Sequence, residues 1–312
     1  MLYMIKIRDL RFIRRVSTFM AALTALCLWL PVHADPSGAF PVAPEQDVIG
    51  KSTVSFPMDK DTLLDVARDY DLGYNEIVAA NPDVDPWLPE AGKPVTVPTE
   101  WLIPDAVRDG IVLNLAEMRL YYFFSGKGTK MVVTYPIGVG KEGFDTPTGE
   151  FRVTGREKNP VWHPTSASKS ERPELPRSVP PGPDNPLGGY KITMSIPGEY
   201  LLHSTNRPWG VGRRVSHGCM RLYPEDMTWL FDMAKVGTKV KIVYQPVKAG
   251  LVDGRLFVEI HEDYIGNLDL AELAVSAIYK KGLERLLDSE KLYKALSEKS
   301  GLPTDVTLDT PE

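Results

Sequence analysis

Cysteine is scarce: Cys27 and Cys219 are the pair that 312 residues contain. A disulfide scaffold is excluded, so stability has to come from buried apolar surface. Histidine is nearly as rare, at five, and no C-x-x-C or H-x-x-x-H pairing occurs, so the usual zinc spacings are missing. Cationic excess is missing too: 36 Lys and Arg stand against 41 Asp and Glu, a net −5. That argues against nucleic acid as a partner and against charge-driven attachment to a membrane surface. No apolar run reaches the roughly 20 residues that a bilayer-spanning helix needs.

The chain opens with Lys6, Arg8, Arg11, Arg14 and Arg15, runs through an apolar stretch from Phe19 to Leu30, and reaches Val32-His33-Ala34 before Asp35. A basic start, a short apolar middle and a small residue at the boundary make residues 1–34 a secretory signal peptide, cleaved after Ala34. A retained anchor is disfavoured because polar residues follow at once. A lipid-anchored form is disfavoured because Leu26, not a small residue, precedes Cys27. Cleavage leaves a net charge of about −9. It also removes Cys27, and an internal disulfide then cannot form. A lone thiol in an oxidising compartment is either buried and inert or kept for its reactivity.

Residues 35–47, rich in Pro, Ala and Gly without periodicity, read as a linker, with order beginning near Val48. Leu63, Val66, Ala67 and Tyr70 recur at i, i+3, i+4 and i+7, one stripe of a helix with an acidic first turn. A second helix spans Tyr74 to Ala80 and ends at Asn81-Pro82, since the residue before proline avoids helical geometry. Val95-Thr96-Val97 is a strand closed by Pro98, with Val54-Ser55-Phe56 as partner. This strand-helix-helix-strand unit, residues 48–103, resembles a LysM module, a small domain that binds the N-acetylglucosamine-containing glycan of cell walls. Asp61-Thr62-Leu63, Val66-Ala67, Tyr70, Ile77, Ala80-Asn81-Pro82, Pro89, Gly92 and Val95 to Pro98 carry the resemblance. Lys60 departs from it, because the family has Gly before the Asp-Thr pair.

Beyond the connector Trp101 to Asp109 the period changes to two. Ile111, Leu113 and Leu115 alternate with Val112, Asn114 and Ala116, and strands follow at Arg119 to Phe124, Lys130 to Tyr135 and Glu150 to Thr154. Short strands with Gly-rich turns predict a mainly β domain, sandwich- or barrel-like. Arg156 to Tyr190 is broken by eight prolines, so regular structure is not expected there, and a connection of this length reads as a lid or binding loop. Strands are expected at Lys191 to Ile196 and Tyr200 to His203, a helix opening at Pro224 with Met227, Leu230, Phe231 and Ala234 on one face, and a last strand at Val240, Ile242 and Tyr244. Residues 248–312 read as a C-terminal helical extension, with Gly301 and Pro303 as its stop.

The residues suited to chemistry concentrate in His203-Ser204-Thr205-Asn206 and Ser216-His217-Gly218-Cys219-Met220-Arg221-Leu222. A thiol with an ordinary pKa of about 8.5 needs a base or a positive field to become thiolate. His203 supplies the first and Arg221 part of the second. His217, two residues before Cys219, shares its side of an extended segment, and Gly218 lets backbone N–H groups approach as an oxyanion hole requires. Three other readings stand beside this: a buried structural cysteine, a metal site of His203, His217 and Cys219, and a papain- or caspase-like peptidase with a different local signature.

The run looks like the signature of the L,D-transpeptidase catalytic domain, a histidine followed by Ser-His-Gly-Cys-x-Arg. Asn114 to Tyr121, Tyr135 to Gly140, Asp145 to Gly149 and Pro180 to Gly188 resemble the same family, so residues 108–247 form the expected catalytic domain, with 156–190 as its lid. The pairing with a LysM-like module resembles the periplasmic branch of Gram-negative bacteria. The resemblance implies Cys219 as nucleophile, His203 as base oriented by the carbonyl of Ser204, and the N–H of Cys219 with groups near Gly218 as oxyanion donors. Asn206, Ser216, His217 and Arg221 are implied as substrate-binding or supporting residues, and His163 as a residue of the lid. The implied partners are peptidoglycan tetrapeptide stems, glycan through the LysM-like module, and an outer-membrane lipoprotein as one possible acceptor. No metal and no cofactor are implied.

Overall fold

The computed structural model of the chain describes residues 38–126, 128–198 and 200–309. The segment read as a signal peptide lies outside the described residues, among which no helix is long and apolar enough to cross a membrane. The expected linker is partly built into the fold. Phe40–Pro41 (β1) pairs with a later strand through Phe40↔Val132, Ala39 and Val42 are buried, and Arg108 Nη1 donates to the carbonyls of Ala43 and Pro44. Apolar side chains at alternate positions find a sheet edge, which outweighs the loop-like composition.

The N-terminal module runs Val48–Gly50 (β2), Thr53–Ser55 (β3), Leu63–Asp69 (α1), Tyr74–Ala79 (α2), Val95–Val97 (β4) and Glu100–Leu102 (β5). β3 pairs with β4 and β2 with β5. Thr62 caps α1 in a reciprocal box: Asp65 N–H donates to Thr62 Oγ1 at 3.3 Å, and Thr62 N–H donates to Asp65 Oδ2 at 2.9 Å. Leu63, Val66 and Ala67 face the core as their spacing predicts, whereas Tyr70 ends the helix and is exposed. Asn81 joins α2 to β4, with Nδ2 donating to the carbonyls of Ile77 and Thr96 and Oδ1 accepting the Thr96 N–H.

The catalytic part continues with Gly110–Asn114 (β6), Arg119–Gly126 (β7), Thr129–Pro136 (β8), Val139–Gly140 (β9), Gly149–Lys158 (β10), Ser166–Glu171 (α3), Tyr190–Met194 (β11), Leu201–His203 (β12), Arg214–Ser216 (β13), Met220–Arg221 (β14), Pro224–Met233 (α4) and Lys239–Val243 (β15). Among the described residues nine strands form one sheet, in the order β1-β8-β7-β6-β15-β10-β11-β12-β14, and β9 pairs with β13 in a separate ribbon. The expected mainly β domain is present. Its lid is more regular than the prolines suggest: β10 runs on to Lys158, Trp162 bridges Val179, and α3 forms behind the Thr165 cap.

Every residue of β6 is buried because both faces of the sheet are covered. Ile111, Leu113, Leu120 and Tyr122 pack with Met227 and Leu230 of α4. Val112, Tyr121, Phe123 and Val132 pack with Leu63, Val66, Ile77 and Trp101 of the N-terminal module. The alternation that suggested a half-buried sheet instead serves two cores.

The C-terminal segment departs from an all-helical extension. Val247–Val252 (β16) and Arg255–Ile260 (β17) make a hairpin, followed by Leu270–Lys280 (α5), Ser289–Glu298 (α6) and Thr304–Asp305 (β18), which pairs with β17. Leu256, Val258 and Ile260 share a core with Ala274, Ile278 and Leu292. The hairpin turn at Asp253-Gly254 has positive φ at both residues, a type I′ signal in the sequence that had not been read as one.

Two buried ionic clusters join these parts. Arg119 Nε and Nη2 donate to Glu76 Oε1 and Oε2 at 2.7 and 2.8 Å, while Trp101 Nε1 and Gly73 N–H donate to the same carboxylate. At the other junction Lys248 Nζ lies 2.6 Å from both Glu117 and Glu259 and donates to the Leu102 carbonyl; Leu102 N–H donates to Glu259. Burial works against the Lys248 charge, but the two carboxylates outweigh it and raise its pKa above the ordinary value. Glu117, Glu259 and His261 bring their ligand atoms within 4.8 Å of one another, yet the Lys248 ammonium already supplies the cation between the carboxylates. Removing one partner of such a pair strands a buried charge. Glu76→Ala is expected to lower the unfolding free energy by about 3–5 kcal/mol in urea titrations. Removing Arg68, whose pair with Glu225 is 45% and 48% exposed, should cost under about 1 kcal/mol.

Candidate active site

The histidine and the cysteine come together because β12 and β14 are parallel neighbours, with Leu202 opposite Met220 and His203 opposite Arg221. The Leu222 N–H donates to the His203 carbonyl at 3.0 Å, and Arg221 exchanges backbone hydrogen bonds with Gly138 at 2.8 and 2.9 Å. His203 and Cys219 line one cavity of about 810 Å³, roofed by lid residues that include Trp162, His163 and Val179. Cys219 is half-buried; His203 is buried.

His203 Nδ1 is 2.5 Å from the Ser204 carbonyl. A carbonyl only accepts, so Nδ1 carries the proton and Nε2 keeps its lone pair. Burial, with the Arg221 charge adding to it, brings the His203 pKa down to about 3 against the smaller opposing pull of the Ser204 carbonyl. The imidazole is therefore neutral at physiological pH, the form a general base requires. Burial lowers Arg221 as well, with Cys219 acting in the opposite direction.

The turn holding the cysteine is tightly constrained. Ser216 Oγ donates to the Cys219 carbonyl at 2.6 Å and accepts the Gly218 N–H at 3.1 Å; Thr146 Oγ1 donates to the Gly218 carbonyl at 2.8 Å. Gly218 has φ +100°, and a Cβ there would lie 2.6 Å from Tyr200 Cε1, so both conformation and space demand glycine. Because the Gly218 N–H is committed to Ser216, it is not an oxyanion donor in this conformation. Ser216 is thus a loop-holding residue.

His217 faces the lid. Its Nδ1 is 3.4 Å from Ser168 Oγ in α3, and its ring meets Phe144 edge-on at 4.7 Å. Glu171 Oε2 stands 3.0 Å from His217 Nε2. Lys141, 2.6 Å from Glu171, together with His217 holds that carboxyl below the usual range. Asn206 and Arg221 line the cavity with His203 and Cys219, and the buried Asn206 Oδ1 and Arg221 Nε have no hydrogen-bond partner. Buried polar atoms without a partner are uncommon, and these two face the same cavity as the imidazole and the thiol. His163 is at the cavity wall rather than packed away in the lid.

Residues 108–242 match the YkuD family, described as an L,D-transpeptidase catalytic domain. The chain is 36% identical over 318 residues to the "Probable L,D-transpeptidase YcfS" of Escherichia coli strain K12, covering 97% of each. It is 35% identical to the "Probable L,D-transpeptidase ErfK/SrfK" of Salmonella typhimurium, covering 96% of this chain and 99% of that one. This chain belongs to the L,D-transpeptidase family. A further member, the "Probable L,D-transpeptidase YbiS" of Escherichia coli strain K12, is 43% identical over 201 residues, covering 62% of this chain and 64% of that one. The family assignment makes the chain an enzyme and identifies the cavity holding Cys219 as the place to seek its L,D-transpeptidase chemistry.

Sequence reasoning did not single out Thr146, Tyr200, Phe144, Ser168, Glu171 or Arg213. Thr146 lies in a quoted family motif to which no role had been given. Glu171 and Ser168 lie where prolines had ruled out a helix. The depressed His203 pKa gives a testable sign. The unfolded imidazole binds a proton near its ordinary 6.5 while the folded one resists it down to about 3. This contribution to stability is full above pH 6.5 and is lost as pH falls toward 3. His203→Gln should therefore lose less stability than the parent between pH 7 and 4.5, by about 2–3 kcal/mol in urea titrations.

Proposed function

We propose that this L,D-transpeptidase attacks the carbonyl preceding the terminal D-alanine of a peptidoglycan tetrapeptide stem, with Cys219 as nucleophile and His203 as general base. The single observation that supports this most is the shared cavity, lined by a neutral, carbonyl-oriented imidazole at the end of β12 and by the thiol immediately before its parallel neighbour β14. His203 Nε2 takes the thiol proton, the sulfur bonds to the carbonyl carbon, and the carbon–nitrogen bond breaks. The proton passes to the departing D-alanine amine, leaving a thioester. An amine then displaces the sulfur. The acceptor is the side-chain amine of diaminopimelate in a second stem or a lysine at the terminus of an outer-membrane lipoprotein.

The cavity's charge supports a carboxylate-rich substrate. Lys141, Arg172, Lys191, Arg207, Arg213 and Arg221 line it against Glu171 and Asp184, and cations in a water-poor pocket favour anions. The N-terminal segment and the relatives support a periplasmic location, and the module at 48–103 supports attachment to wall glycan. Hydrolysis of the thioester, which would make a carboxypeptidase, and an inactive wall-binding protein are the rival readings. The intact pair of His203 and Cys219 disfavours the inactive one, and the lid over the thiol disfavours hydrolysis.

Cys219→Ala is expected to stay folded and to release no D-alanine from disaccharide tetrapeptide; unchanged release would end the nucleophile assignment. A carbapenem, whose strained amide carbonyl offers the same acyl centre, should add one mass increment that maps to Cys219 in intact-protein mass spectrometry. Incubating the enzyme with tetrapeptide muropeptide, with and without a peptide ending in lysine, should give a crosslinked dimer or a lysine conjugate. Tripeptide alone in both mixtures would favour the carboxypeptidase reading.

A further inference from the structure

A second cavity of about 360 Å³ lies where the N-terminal module meets the catalytic part. Helix α1 gives it Leu64, Asp65 and Arg68, and the loop between β12 and β13 gives it Pro208, Trp209 and Val211. Trp209 lines this cleft and the catalytic cavity alike, and 58% of it is exposed. A large aromatic side chain set between two cavities can touch an occupant of either.

The cleft's walls are fixed relative to the thiol. Tyr74 N–H and Asn75 N–H donate to the carbonyls of Val211 and Gly212 at 3.3 and 3.2 Å. Gly212 has φ +72°, and a Cβ there would come 2.5 Å from Gly73 Cα, so the two backbones touch. The Arg119–Glu76 pair anchors α2 from beneath. The Arg213 guanidinium lies 3.6 Å from the Tyr74 ring centroid and also lines the catalytic cavity. A rigid cleft opening beside the active site suits a substrate that extends past the reacting bond.

We propose that this cleft binds the saccharide to which the donor stem is attached, so that glycan in the cleft delivers its own peptide past Trp209 to Cys219. The proposal rests on the stem-peptide reading of the catalytic cavity. The chemistry of the cleft fits an uncharged N-acetylated sugar. The indole face takes the apolar face of a pyranose ring, Leu64, Pro208 and Val211 take the acetamido methyl, and the Arg68 stem, its guanidinium paired with Glu225, closes the wall. The one cation of the cleft wall, Arg68, is already paired with Glu225, so no unpaired positive charge selects an anion there, in contrast with the cationic cavity next door.

The test uses the full protein with Leu64→Glu and Arg68→Ala, neither of which reaches the catalytic cavity, each first shown to keep the parent's thermal midpoint. D-alanine release is measured from disaccharide tetrapeptide and from the free tetrapeptide. The parent should favour the sugar-linked donor by tenfold or more in kcat/KM. Both variants should cut that preference at least threefold through KM while leaving free-peptide turnover within twofold. In parallel, Cys219→Ala, alone and combined with Leu64→Glu, is titrated with stem-free glycan chains, and binding should weaken at least fivefold in the combined variant. Equal glycan affinity with and without Leu64→Glu, or no glycan binding at all, overturns the cleft assignment. Loss of glycan binding in the combined variant, in an enzyme that releases D-alanine from neither donor, would uphold the cleft and refute the stem-peptide reading instead.

Discussion

The parallel pairing of β12 with β14 governs the rest of the site. Parallel neighbours cannot be joined by a tight turn, so the chain between His203 and Cys219 must leave the sheet and return. That excursion carries Trp209 and Arg213, docks against Tyr74 and Asn75 of the N-terminal module, and re-enters through β13 beside β9. The register of one short strand pair therefore fixes the base, the thiol and the contact with the module together. A one-residue slip would turn either side chain away from its partner.

Rigidity between the parts comes from buried charges that add to the apolar core the N-terminal module shares with the sheet. Each buried cluster draws on more than one part of the chain: Glu76 with Arg119, and Leu102 with Glu117, Lys248 and Glu259. Such pairs lose much of their attraction to desolvation, and an apolar contact would stabilise as well. Their geometric requirement is stricter, because a bidentate carboxylate tolerates little rotation. We read this as a device that sets orientation, which matters if one part holds a glycan and the next part cuts its peptide.

The elements that chemistry alone marks were legible in the sequence. The α1 stripe with its acidic first turn, the Asn81-Pro82 stop and the period-two strands were read from local pattern, and the pairing of His203 with Cys219 from the family resemblance, whereas the Thr62 capping box emerged with the structure. What was missed depended on distant partners. Phe40-Pro41 looks like linker until Val132 is beside it, and Val112 looks outward-facing until the N-terminal core covers it. The β16–β17 hairpin was lost beside strong helical periodicity, and α3 was hidden among prolines that stop short of Ser166–Glu171. The involvement of the Gly218 N–H with Ser216 Oγ is a hydrogen-bond choice that no residue pattern encodes.

The lid differs in kind from what it covers. The base and the thiol are held by sheet hydrogen bonds and buried backbone, which open only with large-scale unfolding. The lid helix α3 touches His217 through a long Ser168 contact and the half-exposed Glu171 carboxylate, and reaches Lys141 through a partly exposed ion pair. Exposed polar contacts of that sort are screened by solvent and hold weakly. The rest of the lid is held more firmly, by the buried Asn185 amide on the carbonyls of Pro160, Val179 and Pro180 and by the Trp162–Val179 bridge, so α3 is its loosest part.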